Sequence, residues 1–140
     1  MVNDTVGAIT YADYSRIGTL GSGNILVGDT WVPVSAAGAA IAVDASPLVS
    51  GRHQFDMAIA LDRNTTAAGA YPLVLVSYAV VCLSYQSALD TSFVQQFLGW
   101  VASEQGQDLA NTTAGSSPIS ADLRAQIMDS LSAITTANQI

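Results

Sequence analysis

The feature that most constrains this chain is the uncharged run Tyr71–Leu83, which reads YPLVLVSYAVVCL. Its 13 residues are rich in β-branched side chains and are apolar at odd and even positions alike. A run of that kind suits a strand covered on both faces. Pro72 and Ser77 interrupt it, and Gly69 and Ser84 border it. It falls short of the roughly 20 apolar residues that a membrane span needs. The expectation is a buried strand and no transmembrane helix. Cys82 lies inside the run and is the single cysteine. It has no intrachain disulfide partner and reads as a small buried hydrophobe.

The rest of the composition agrees with a folded domain. Of 140 residues, 50% are apolar and 11% are charged. Chains of this size bury roughly 70% of their unfolded surface, and disorder needs a more polar, more charged chain. Eleven acids stand against four bases, for a net charge of −7. There is no lysine, and Arg16, Arg52, Arg63 and Arg124 are scattered. Polyanion binding needs clustered cations, so the composition all but excludes a nucleic-acid role and disfavours an adsorbed membrane-surface one. Residues 1–20 show neither a basic start nor a long apolar stretch, so no signal peptide is read there.

Along the chain, Val6–Tyr11 reads as a strand behind the Asn3-Asp4-Thr5 turn, and Ala12–Leu20 as a helical turn or two. Gly21-Ser22-Gly23-Asn24 breaks it. Ile25–Val34 reads as a hairpin turning at Gly28-Asp29. Ser35 caps a helix to about Ala45, with Ala36, Ala39, Ala40 and Val43 on one face and Pro47 beyond its end. Phe55–Leu61 alternates like a strand, and Asp62–Gly69 is a polar loop. Ser92–Ser103 reads as a helix with Ser92 and Gln95 as a capping box, Phe93, Val94, Phe97, Leu98, Trp100 and Val101 as a core stripe, and Gly106 as its stop. Gly115–Ile119 is a loop. Ser120 caps a last helix, with Asp122 in its first turn and Leu123, Ile127, Leu131 and Ile134 along one face. The tail Thr135–Ile140 frays.

No catalytic constellation is visible. His53 is the single histidine and reads as a loop residue without a nucleophile beside it. One His and one Cys do not make a zinc site. Asp56 and Asp62 flank one predicted element, and Asp90 and Asp108 another; solvated or helix-end roles suit them. Gly21–Asn24 lacks the pattern of a phosphate-cradling loop. Arg63-Asn64-Thr65-Thr66 offers a cation and three hydrogen-bonding side chains, which fits either an anion contact or a plain turn. Asn3, Asn64 and Asn111 begin N-x-[ST] sequons, relevant only in a glycosylating pathway.

Beyond these residue-level readings, the stretch Asn64–Ser84 resembles the C-terminal half of the phosphate-binding proteins of phosphate ABC importers, the PstS family. Ala70-Tyr71-Pro72-Leu73-Val74 is similar to the aromatic-proline start of a long apolar strand in that family. Val6-Gly7-Ala8-Ile9-Thr10-Tyr11 is similar to its G-x-I-G-Y strand, with Thr10 in place of the second glycine. Val27-Gly28-Asp29-Thr30-Trp31-Val32-Pro33 resembles its hairpin before an alanine-rich helix. Phe97-Leu98-Gly99-Trp100-Val101 with Glu104-Gln105-Gly106-Gln107, and then Ser117-Pro118-Ile119-Ser120 before Leu123-Arg124, resemble its closing helices. These matches keep the family's order over nearly the whole chain.

The resemblance implies an α/β fold that is part of a two-lobe periplasmic-binding-protein architecture, a mixed sheet flanked by helices, incomplete without an N-terminal half. Residues 1–62 would end the second lobe, 63–83 would form the crossing loop and strand, and 84–140 would carry helices back to the first lobe. It implies a non-enzymatic, extracytoplasmic phosphate receptor feeding an ABC importer, with the importer's membrane subunits as partners and no cofactor or metal. The family's phosphate ligands (a Ser-Gly-Thr turn, an arginine, an aspartate, small hydroxyl and backbone donors) lie ahead of Met1 in that pattern. No ligand-binding residue is therefore named here. The expectation is that this chain alone does not bind phosphate tightly and that its open strand edges favour a homodimer. The alternative is a self-standing, non-enzymatic interaction or structural domain.

Overall fold

A serine starts each of the four α-helices found among the described residues, 2–137, of the computed structural model. Ser35 caps α1, Ala36–Asp44, its hydroxyl accepting from the Gly38 N–H at 3.0 Å. Ser87 caps α2, Ala88–Ala102, accepting from the Leu89 and Asp90 N–H groups. Ser103 caps α3, Glu104–Ala114, and Ser120 caps α4, Ala121–Ser132. Each hydroxyl satisfies donors that a helix start leaves free.

The hairpin forms as its sequence indicates. Strands β1, Ile25–Val27, and β2, Thr30–Val32, pair antiparallel, with Leu26 opposite Trp31. The turn places Gly28 at φ +57°, a conformation glycine adopts without strain. Val27 and Val32 point inward and are buried, while Leu26 and Trp31 share the exposed face. The two-residue strands β3, Ser84–Tyr85, and β4, Thr135–Thr136, pair in parallel, with Ser84 opposite Thr135. The protein is thus a small mixed α/β domain with sheet flanked by helices, α2 packing on both β3 and β4.

The firmest packing joins α2, α4 and the β3–β4 ladder. Leu131, Ile134 and Ala102 are buried there. The Gln95 amide donates to the Leu131 and Ile134 carbonyls at 3.2 and 3.0 Å, closing the end of α4. The Thr91 hydroxyl lies 2.9 Å from that of Thr136. Arg124 donates through Nε to the Ala102 carbonyl and meets Glu104 at 3.2 Å, placing a cation at the C-terminus of α2. Ile134 caps this cluster rather than extending α4, and Thr135–Thr136 is strand where fraying was expected; residues 138–140 lie outside the described residues.

Several sequence expectations change here. Tyr71–Leu83 is neither a strand nor buried: Leu75 and Val80 are each 93% exposed. High β-propensity reflects fit to a sheet, and among the described residues no neighbouring strand lies beside this segment. Val6–Tyr11 likewise forms no strand, and Val6, Ile9 and Tyr11 are fully exposed. Ala12–Leu20 holds one 3₁₀ turn, Tyr14–Arg16. Phe55–Leu61 makes a single antiparallel bridge, Ile59 with Leu48, instead of a strand. In α1 the deepest residues are Gly38 and Ala42, not the expected alanine face.

Helix α2 is capped five residues before its expected cap, because Ala88–Thr91 contains nothing that breaks a helix and Ser87 caps it first. Ser92 instead accepts from Gln96 within the helix, at 2.8 Å. Gly106 is not a stop. It is buried inside α3 against the Trp100 carbonyl, where a Cβ would collide. Glycine is used there for close backbone approach between two successive helices.

Candidate functional site

Arg63 organises the most distinctive local arrangement. Asp62 fixes the preceding turn by accepting from the Asn64 N–H at 2.9 Å. From there the Arg63 guanidinium donates to the Pro72 carbonyl at 2.7 Å and to the Val74 carbonyl at 3.2 Å. The anion-contact reading of Arg63-Asn64-Thr65-Thr66 gives way to this clamp, and Thr65 accepts from the Ala67 N–H. The segment that follows runs from Ala70 to Cys82 without a turn or bend. Tyr71 donates to the Gly38 carbonyl at its start, and the Tyr78 hydroxyl accepts from the Ile59 N–H midway. Between Leu73 and Val81 no backbone–backbone hydrogen bond forms among the described residues. The site is an unpaired segment without turns whose start is clamped by an arginine.

The other sequence candidates stay apart. His53 accepts from the Phe55 N–H through Nδ1 and stacks obliquely on the Phe55 ring, centroids 5.5 Å apart. Arg52 donates to Asp56 at 2.7 Å. That hydrogen bond, first among its causes, holds the Asp56 carboxyl below the usual carboxylate range. Asp90 lies in the first turn of α2, whereas Asp108 sits on the exposed side of α3 rather than beside a helix end. Gly21–Asn24 is exposed chain. Cys82 is exposed, against expectation, because the run around it is uncovered.

Two shallow clefts lie elsewhere on the surface. One, of about 290 Å³, is lined by the N-terminal chain from Val2 to Gly21 and includes Arg16. The other, of about 300 Å³, lies between Val43–Leu48 and Leu123–Gln126 and carries Asp44 and Asp122. Two carboxylates repel an anion, so the second cleft does not suit phosphate. Among the described residues no group of three or more His, Cys, Asp or Glu is placed to hold a metal, and no helix is long and apolar enough to cross a membrane.

Sequence reasoning read Tyr71–Leu83 as a buried strand, which it is not, and missed the clamp. The signal for it was the placement of a lone arginine just before a polar loop and an uncharged run. No family model, curated protein or solved structure matches the chain.

Proposed function

We propose that this chain is the C-terminal part of an extracytoplasmic phosphate-binding receptor of an ABC importer, non-enzymatic, with its phosphate ligands supplied by sequence ahead of Met1. The observation that carries it is the ordered series of motifs from Val6–Tyr11 to Ser117–Ser120. The open edge at Leu73–Val81 supports it, since a two-lobe receptor would bring further strands to that edge. Phosphate near neutrality carries one to two charges, and burying it needs charge-assisted donors fixed in place. The arginines here are engaged with Asp56, backbone carbonyls or Glu104, or stand on exposed chain.

Two measurements test the reading. Isothermal titration of this chain with inorganic phosphate is expected to show no micromolar binding; a one-to-one isotherm would move the ligands into this chain. Reading the gene upstream of Met1 is expected to reveal a continuous frame with a Ser-Gly-Thr loop. A frame that opens at Met1 supports instead a self-standing interaction domain, a reading favoured by the self-contained packing of α2, α4 and the β3–β4 ladder.

A further inference from the structure

In an extended chain the hydrogen-bonding groups of successive residues face opposite edges. On the even edge of Leu73–Val81, Arg63 occupies the Pro72 and Val74 carbonyls, and proline brings no N–H. On the odd edge, the backbone groups of Leu73, Leu75, Ser77, Ala79 and Val81 meet no partner among the described residues. Natural edge strands are usually guarded by charge. No charged residue occurs from Asn64 to Leu89.

The surface area points the same way. A folded chain of 14.4 kDa is expected to expose roughly 6,800 Å², whereas this one exposes 9846 Å². The excess, about 3,000 Å², is well beyond the ≈ 800 Å² that each partner gives to a standard interface.

We propose that a second copy of this chain occupies the odd edge, pairing antiparallel about a two-fold axis at Ser77. Leu73 of one copy lies opposite Val81 of the other, and Leu75 opposite Ala79, so every odd N–H and carbonyl finds a partner. The contact is isologous and joins the uncharged stretches of two chains that otherwise repel through a net charge of −7 each. The Arg63 clamp takes the Pro72 and Val74 carbonyls at the start of the other edge, so the odd edge is the one left free along its whole length. The dimer is that of the 140-residue chain by itself; in a longer receptor the added strands would take the same edge.

Sedimentation equilibrium of the 140-residue chain is expected to give a dimer that dissociates on dilution. Ser77→Pro removes an edge donor and is expected to weaken it about tenfold or more. In a Cys82→Ser background, Ser77→Cys is expected to form an intermolecular disulfide under mild oxidant, because paired Cα atoms lie about 5.5 Å apart. The unmodified chain is expected not to crosslink, since the register sets the two Cys82 residues roughly 30 Å apart. A single monomer mass over a hundredfold dilution overturns the proposal. So does open-ended aggregation, or crosslinking through Cys82 but not through Ser77→Cys. Far-UV circular dichroism separates a lost contact from a lost fold. Phosphate titration bears on the receptor reading alone, so the two can fail separately.

Discussion

Gly38 sits where α1 meets the start of the extended segment. A Cβ there would lie 3.0 Å from the Gly69 carbonyl oxygen and 3.1 Å from both the Ser35 hydroxyl and the Tyr71 Cβ. Gly38→Ala is expected to lower stability by about 1–3 kcal/mol through overpacking, measured by urea unfolding; an unchanged midpoint would mean that α1 and Tyr71 part freely. Asp56 gives a second residue-scale test. Its carboxyl is held low chiefly by the Arg52 hydrogen bond. A lowered folded-state pKa contributes stability that is present above the ordinary aspartate range and lost as the pH falls through the depressed midpoint. A carbon-detected NMR titration is expected to place that midpoint below the usual carboxylate range and to return it there in Arg52→Ala. Neither feature is legible from one sequence, because a turn that brings Arg52 to Asp56 looks like any polar loop.

At the scale of elements, α2 offers the sharpest contrast. Its cap is Ser87, so Ser87→Ala is expected to cost about 1 kcal/mol, while Ser92→Ala, inside the helix, is expected to be neutral or slightly stabilising. Thermal unfolding of the pair decides between the two starts. The stripe of Phe93, Phe97 and Trp100 shows the same shift from expectation. Phe93 and Phe97 stack with ring centroids 5.9 Å apart on the surface, and Trp100 is 51% exposed. Trp100→Ala is expected to fall well below the about 3–5 kcal/mol that removing a buried tryptophan costs. Leu131→Ala, in the buried cluster, is expected to cost about 2–5 kcal/mol. Equal losses from both would show that the stripe is covered in solution. Apolar period identified both faces, but only packing told which one met a neighbour.

For the whole molecule, the exposed area sets the energetics. Folding buries about 53% of the unfolded surface by the usual mass scaling, against the roughly 70% common at this size. None of the large side chains is fully buried among the described residues. The urea m-value of the monomeric form is expected to lie about a fifth below that of other 140-residue domains; a normal value would mean a tighter fold than this one. The elements that the amino-acid sequence determined by itself are those closed by local bonds. The turn at Gly28-Asp29 and the caps at Ser35 and Ser120 complete their hydrogen bonds within a few residues, so neighbours in sequence suffice. Strand formation and burial at Tyr71–Leu83 depend on distant chain. The same β-branched residues that favour a sheet leave an open edge when no strand comes to them, and Arg63, eight residues before Tyr71, clamps the start of that edge only because the tertiary fold carries it to the Pro72 and Val74 carbonyls.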